Sequence, residues 1–479
     1  MARTLSDLVA TGGISATLHD PLGRADAALV EGLTYDSRRV VPGTLYCCLR
    51  GASTDGHHFA RAAVSAGAVA LLVDHPLGAA AGADELGVPQ LVAADTRAAM
   101  GRLAAAFHGH PSQALVVAGI TGTNGKTTTT NLLAAILEVA GMPCGVIGTL
   151  TGRHTTPEAP ELQGLLAGFR DAGLAAVAME VSSHALALHR VDGCRFAVAV
   201  FTNLGRDHLD LHHTIDDYYA AKAELFTPQL SARGVVNIDD PYGRRLAESA
   251  QIPIDAFSAT DAQRVRVSAR SHEYLWRGQH VTVGIGGEFN VMNSLAAASA
   301  AAALGVEPAL IARGLAAAPP VPGRFEAIDA GQPFDVIVDY AHTPDGLAAV
   351  LRAAREVTGS RLVVVFGCGG DRDREKRPQM GAVAAANADR VVITSDNPRS
   401  ERPLDIIDAV FAGVPDDYRA RVVIEPDRRA AIDVALSMAA AGDVVVVAGK
   451  GHETTQTIGT DVVPFDDRNV VRDLLGGRA

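Results

Sequence analysis

Val116-Val117-Ala118-Gly119-Ile120-Thr121-Gly122-Thr123-Asn124-Gly125-Lys126-Thr127-Thr128 is the stretch whose reading decides the fold. It opens as an apolar strand and turns through glycines. A helical pattern follows, with Leu132, Leu133, Ile136, Leu137 and Ala140 spaced by threes and fours on one buried face and Gly141 as the stop. Strand, glycine turn and helix in that order make a phosphate cradle. Glycines let backbone N–H groups close on an anion, the lysine supplies a point charge, and the hydroxyl after it can hold Mg²⁺. The strict signature asks for glycine where Ile120 stands, flanked here by Gly119 and Gly122. The reading is therefore an ATP-binding loop of a variant type, set against a glycine turn of no function.

Working outward, 479 residues exceed one ordinary core, and the length suggests about three units. No apolar run reaches the roughly 18 residues that a membrane span requires. The first residues lack the apolar core and cleavage site of a signal peptide. Cys47, Cys48, Cys144, Cys194 and Cys368 are an odd set without metal-ligand spacing, which predicts reduced thiols and a cytoplasmic protein. Lysine plus arginine number 42 against 54 acidic residues, a net charge of −12. That argues against a general binder of nucleic acid or anionic membrane, because both need a basic field.

Upstream of the loop, short apolar runs such as 45–49 and 69–73 alternate with alanine-rich stretches, predicting a small α/β unit over 1–106 with a surface loop at 78–83. Downstream, 174–179 and 196–201 are continuous apolar runs of strand length, as parallel strands covered on both faces require. Each ends in polar residues, Glu180-Val181-Ser182-Ser183-His184 and Thr202-Asn203-Leu204-Gly205-Arg206-Asp207-His208. Ligands of open α/β sheets bind beyond the carboxyl ends of strands, so both segments belong beside the loop, in a central unit over 107–320. Pro319-Pro320-Val321-Pro322-Gly323 reads as a linker. In 321–479 four more apolar runs end in polar segments after 338, 366, 393 and 447, predicting a second, Rossmann-like sheet with a polar rim. The fold class is α/β in three domains, the central one a mostly parallel sheet flanked by helices.

A bound triphosphate would need oxygen or imidazole groups to share magnesium, and Glu180 and His208 stand at the right strand ends. Burying Glu180 there would cost several kcal/mol unless a cation sat beside it. Lys222 lies on a helical pattern among apolar neighbours and by spacing alone reads as a snorkelling surface lysine. Asn290 and Asn293 share one helix face, where they could read an adenine edge or cap the helix.

Together these motifs resemble the Mur ligase family, the ATP-dependent amide ligases of peptidoglycan precursor synthesis. The carriers are 121–128, 180–184, 202–204 with 207–210, the Gly-x-Phe-Asn-x-x-Asn ending at Asn293, 323–326, 339–342 and Asp396-Asn397-Pro398-Arg399. The resemblance implies a UDP-binding N-terminal domain, a central ATPase domain and a C-terminal domain that brings an amino acid. It implies phosphoryl transfer from ATP to the D-glutamate carboxylate of UDP-N-acetylmuramoyl-L-alanyl-D-glutamate, then attack by an amine on the acyl phosphate. It also implies nucleotide contacts at Gly122, Thr123, Asn124, Gly125, Lys126, Thr127, Thr128, Asn293, Arg324 and Asp339. Thr127 and Glu180 would hold one Mg²⁺; His208 and Lys222, the latter as a CO₂-derived carbamate, would serve a second.

Ser37, Thr155, Thr156, Ser182 and Arg190 match the family's contacts to the nucleotide-sugar peptide. Leu188 stands where some members have glutamine, and Gly205 replaces a hydroxyl residue. Members that add meso-diaminopimelate carry Asp-Asn-Pro-Arg, and a guanidinium suits the second carboxylate that distinguishes this amino acid from lysine. Arg372, Gly449 and Glu453 complete that set, with Glu453 placed for an ammonium group. A monomer is expected. A lysine-adding or folylpolyglutamate-type ligase and a non-catalytic nucleotide-binding regulator are the alternatives; the first two lack the context of Arg399, and the third would be expected to have lost Lys126, Glu180, His208 or Lys222.

Overall fold

A computed structural model describes residues 2–20, 22–51, 54–78 and 86–477. Most of the loop expected at 78–83 lies outside them. Three sheets organise the chain.

The first orders strands Thr17–His19, Gln90–Val92, Ala68–Val73, Thr44–Cys47 and Gly32–Thr34; only the Thr17–His19 pairing is antiparallel. Beside it His57 Nδ1 meets Asp55 Oδ1 at 2.5 Å and its Nε2 accepts Asp74 N–H at 3.2 Å. These bonds fix the turn after Thr44–Cys47 to the end of Ala68–Val73.

The central sheet is wholly parallel, in the order Ile254–Phe257, Gly234–Asn237, Val198–Phe201, Val116–Thr121, Ala176–Glu180, Cys144–Ile147. Val116–Thr121 sits in the middle, and the chain leaves it toward one side and later returns on the other. The crevice at the carboxyl end of Val116–Thr121, flanked by the ends of Ala176–Glu180 and Val198–Phe201, is thus the topological switch point where ligands of such sheets bind. Both faces are covered: helices Lys126–Val139, Phe289–Ala303 and Pro308–Ala317 pack on one, Ala159–Asp171 and Ile215–Ala223 on the other. Double burial is why these strands read as unbroken apolar runs rather than alternating ones. An antiparallel sheet of Gln263–Val267, His272–Trp276 and Gln279–Val283, not anticipated from the sequence, closes the first face through Tyr274, Trp276 and Val281.

The third sheet orders Glu326–Ile328, Asp335–Asp339, Val444–Ala448, Leu362–Phe366, Arg390–Ile393 and Val422–Ile424. The four expected strands are its centre. No local pattern marks the antiparallel edge strand Glu326–Ile328, Val422–Ile424, or the hairpin Thr455–Ile458 and Asp461–Pro464. Arg270 bridges the antiparallel sheet to Asp329 and, at 3.0 Å, to Asp335. Among the described residues no helix is long and apolar enough to cross a membrane.

Candidate active site

The glycine loop takes its shape from two close approaches. Gly122 has φ 147°, and a Cβ there would fall 1.9 Å from Thr202 Oγ1; Gly125 has φ 85°, and its Cβ would fall 2.2 Å from Asn293 Oδ1. Ile120, by contrast, is a buried residue inside the strand. The turn begins two residues later than in the strict signature, which is why no glycine is needed at position 120. Asn203 clamps the loop: its carbonyl accepts Thr123 N–H and its Oδ1 accepts Asn124 N–H, both at 2.9 Å. Thr123 Oγ1 meets the Tyr218 hydroxyl at 3.1 Å. The helix that starts at Lys126 has no side-chain cap, so its first turn, with Thr127 and Thr128, offers its dipole to an anion.

Lys126 folds back over the loop and donates to the carbonyls of Gly122 and Thr123 at 2.8 and 2.9 Å. Burial lowers its pKa, Glu180 and Asp207 oppose the shift, and Arg324 adds to it. Lys222 is 1 % exposed. It donates to Gly122 O at 3.0 Å and lies over the Tyr218 ring at 4.5 Å. The snorkelling reading is therefore wrong: Ile215–Ala223 packs this side of the helix inward, beneath the loop. Burial first, then Lys126, push its ammonium well below the ordinary lysine value. Among the described residues neither lysine has a carboxylate within ion-pair distance.

Glu180 is buried without the adjacent ion-paired cation that its desolvation had suggested. Three donors hold it instead: Thr149 N–H at 2.8 Å, Thr149 Oγ1 at 3.2 Å and Thr127 Oγ1 at 3.0 Å. His208 sits in the left-handed region at φ 54°, its ring edge-on to His184 at 4.7 Å. Burial pushes its pKa down to about 4; Asp207 opposes this, and His184, Lys126 and Lys222 reinforce it.

Asn290 and Asn293 do not cap. They lie inside Phe289–Ala303, where Asn290 Nδ2 donates to Gly286 O at 2.7 Å and Asn293 Nδ2 to Asn290 Oδ1 at 2.8 Å. From the third sheet Arg324 reaches across, donating Nη2–H to Thr127 Oγ1 at 3.1 Å, while its guanidinium stacks over Tyr340 at 4.6 Å. Asp339 is buried and accepts the N–H groups of Phe325 and Ala341 at 2.7 Å each, although burial raises its pKa. Asn293, Arg324 and Asp339, with Lys126, Glu180, His208 and Lys222 but without the fully buried Asn290, line one cleft of about 530 Å³ between the central and third sheets.

Thr155 and Ser182 also line that cleft. Thr156 does not; its hydroxyl donates to Glu180 O at 2.9 Å and accepts Ser182 N–H at 3.1 Å, bracing the strand end. Ser182 Oγ accepts Ala185 N–H and caps Ser183–Ala187. Arg190 donates to Thr156 O at 3.0 Å and pairs with Glu158 at 2.8 Å. Ser37 opens a turn after Gly32–Thr34 in the first sheet, whose Arg39 pairs with Glu161 at 2.9 Å, so this turn docks on the helix that follows Glu158. At Gly205 a Cβ would meet only Thr123 Cγ2, at 3.8 Å, so the position has room for the hydroxyl residue it replaces.

At the rim of the third sheet Arg372 and Arg399 come together: a Cβ on Gly369 would meet both side chains, at 3.7 and 2.9 Å. Arg399 donates to Gly370 O at 2.7 Å, and its backbone pairs with the hairpin at Thr457 and Ile458. Asp396 is buried, which raises its pKa against the pull of Arg428 and Lys450. Asn397 Nδ2 donates to Asp396 Oδ1 and to Glu453 Oε2, both at 2.9 Å. Pro398 O accepts Glu401 N–H at 3.1 Å, and Gly449 N–H reaches Asp339 O at 3.1 Å. Burial of Glu453 works against its charge, yet Lys450 and Asn397 keep its pKa below the ordinary value.

Sequence reading passed over Thr149, Tyr340, Lys450 and the buried pair Arg428–Asp467. Thr149 follows the end of Cys144–Ile147, so the strand-end rule could have found it. Nothing in local pattern marks Arg428 as fully buried.

Comparison with known proteins bears on the same residues. Residues 29–108 match the Mur ligase family catalytic domain, 120–301 the Mur ligase middle domain, and 323–451 the Mur ligase glutamate ligase domain. The UDP-N-acetylmuramoyl-L-alanyl-D-glutamate–2,6-diaminopimelate ligase of Streptomyces avermitilis is 49% identical over 94% of this chain and 93% of its own. That of Streptomyces coelicolor is 48% identical over 96% of both. A solved structure of a ligase with this name is 32% identical and covers 100% of this chain and 99% of its own, with a TM-score of 0.69.

Proposed function

The chain belongs to the Mur ligase family, and from that premise we infer that it is an ATP-dependent amide ligase adding meso-2,6-diaminopimelate to the D-glutamate γ-carboxylate of UDP-N-acetylmuramoyl-L-alanyl-D-glutamate. The observation that carries the chemistry is the pair of carboxylate-free lysines, half-buried Lys126 and buried Lys222, facing the Thr127–Glu180 oxygens across one cleft.

A carboxylate is a poor electrophile, so the γ-phosphoryl of ATP moves onto it, giving an acyl phosphate and ADP. The amine attacks the acyl carbon, loses a proton, and phosphate leaves. The uncapped helix start and Lys126 hold the phosphates and stabilise charge on the transferring group. Turning Lys126 from the loop carbonyls to phosphate oxygens is the change required of it. Asn293 beside Gly125, together with Arg324 and Asp339, lies where the rest of the nucleotide would be held.

The residues present fit Mg²⁺. Thr127 and Glu180 offer two hard oxygens 3.0 Å apart, and magnesium is commonly held by one or two such groups plus phosphate. When bound, it offsets charge on the phosphoryl oxygens. Lys222 as an ammonium cannot ligate a cation. Buried, beside Lys126 and with its pKa lowered, it holds more of the neutral amine that adds to CO₂, and the carbamate would join His208 at a second ion. Ser37, Thr155, Thr156, Ser182 and Arg190 would contact the nucleotide-sugar peptide, Thr156 through the strand end it braces. Arg372, Arg399, Asp396, Asn397, Pro398, Gly449 and Glu453 would form the amine site.

In this reading 1–106, 107–320 and 321–479 are the three functional domains, and the enzyme works as a cytoplasmic monomer. The test is phosphate release from ATP with the UDP-sugar dipeptide and each of diaminopimelate, lysine and glutamate. Release that needs all three components and prefers diaminopimelate is expected. Release indifferent to the amine would overturn the assignment.

A further inference from the structure

Lys450 is the one lysine of the third sheet's rim that is wholly buried among the described residues, and the scheme above gives it no task. It has three donors and uses all of them: Thr455 O at 2.7 Å, Glu453 Oε2 at 3.0 Å and Asn397 Oδ1 at 3.4 Å. Each partner belongs to a different piece of the rim. Thr455 opens the hairpin whose Thr457 carbonyl holds Arg399 N–H at 3.1 Å, and Asn397 precedes Arg399 by two residues. Asn397 Oδ1 also takes Thr457 N–H at 3.0 Å, so the loop and the hairpin are cross-tied around the same ammonium. Beneath them Arg428 pairs with Asp467 at 2.7 Å and donates to Ser395 O and Ala448 O, fixing both strand ends.

Glu453 has only one oxygen engaged. Oε2 takes both Lys450 and Asn397, and Oε1 has no protein partner among the described residues. Lys450 thus holds a carboxylate that presents a free oxygen and, through Asn397 and the hairpin, ties down the loop that carries Arg399. The far end of diaminopimelate carries an ammonium and a carboxylate on one carbon.

We propose that Lys450 is a positioning residue for amine selection: it sets the spacing between Glu453 and Arg399 so that the pair accepts an α-amino-acid terminus as a unit. This rests on the reading of the chain as a diaminopimelate-adding ligase. Lys450 touches no substrate in this scheme; it acts through Glu453 and through the hairpin that carries the Arg399 backbone. Removing it frees Glu453 to swing and unties the hairpin. Diaminopimelate then loses its advantage over lysine, which lacks the second carboxylate.

The test is steady-state kinetics of the full-length enzyme with Lys450→Met, Glu453→Gln and the double variant. Lys450→Met should raise KM for diaminopimelate by about thirtyfold, the loss of a charge-assisted contact set. Its preference for diaminopimelate over lysine should fall about tenfold or more, while KM for ATP stays within about twofold. Because Lys450 acts through Glu453, the double variant should be scarcely worse than the more damaged single one. An unchanged KM for diaminopimelate, or single-variant losses that multiply, would overturn the proposal. Should Lys450→Met fail to fold, Lys450→Gln keeps two donors and removes the charge. It should still weaken diaminopimelate severalfold, and no change would again overturn the idea. Failure of the wild-type enzyme itself to use diaminopimelate would sink the functional reading instead.

Discussion

The rim of the central sheet and the rim of the third sheet are built on opposite electrostatic plans. At the first, half-buried Lys126 and buried Lys222 both donate to the Gly122 carbonyl, and desolvation lowers the pKa of each. At the second, buried cations are matched one by one: Lys450 with Glu453, Arg428 with Asp467, Arg377 with Glu401. The first leaves its lysines without ion-paired partners; the second is neutralised internally and leaves Arg399 and one Glu453 oxygen to the ligand. A phosphoryl group brings several negative charges of its own, so its site profits from a lysine, Lys126, that no protein carboxylate neutralises. A zwitterionic amino acid brings none net, so its site needs fixed geometry more than field. Activation and selection fall to different sheets for that reason.

The comparison can be broken at several points. The largest effect belongs to Lys126→Ala, which removes the point charge on the transferring group; product formation should fall by about 10³-fold or more with every amine tested. A loss confined to one amine would contradict the division of labour. Next, Asp467→Asn leaves Arg428 buried and unpaired. Unfolding should become easier by about 3 kcal/mol in chemical denaturation of the third domain, the scale of a broken buried pair. No change would mean that the neutralised plan contributes nothing to rigidity. Arg399→Ala should raise KM for diaminopimelate about tenfold and leave KM for ATP alone.

The smallest effect concerns His208. With its pKa near 4 it is neutral throughout pH 6–8. Its protonation should leave no inflection in the kcat profile there, whereas an unperturbed imidazole would give one near 6.5. The folded pKa lies below the unfolded one, so the cost to stability appears as pH falls below about 6.5 and grows down to the folded value. An inflection near 6.5 that vanishes in His208→Asn would contradict the burial argument.

Much of the central site is legible in the sequence because its information is local. Gly122 to Thr128 are contiguous, Glu180 sits directly after an apolar run, and His208 lies in the polar segment that follows another, both runs being doubly covered strands. The loop's departure from the strict signature becomes understandable only in three dimensions, where Thr202 and Asn293 crowd Gly122 and Gly125. Lys222 misleads because a lysine among alanines and tyrosines gives no amphipathic direction, and the cavity that swallows it is made by residues 100 positions away. Asn290 misleads similarly: position near a helix start suggests a cap, but the cap place is Glu288 and Asn290 is turned inward. The third rim was harder still. Arg428, Asp467 and Lys450 are charged residues with no local mark of burial, and their partners come from distant segments.

Positional isotope exchange in ATP labelled at the β–γ bridge tests the separation of activation from selection most directly. Measured with the UDP-sugar dipeptide and no amine, it reads acyl phosphate formation alone. The expected result is exchange near the wild-type rate in Arg399→Ala and none in Lys126→Ala, while amide formation falls in both. Exchange that falls in Arg399→Ala in step with amide formation would contradict the account.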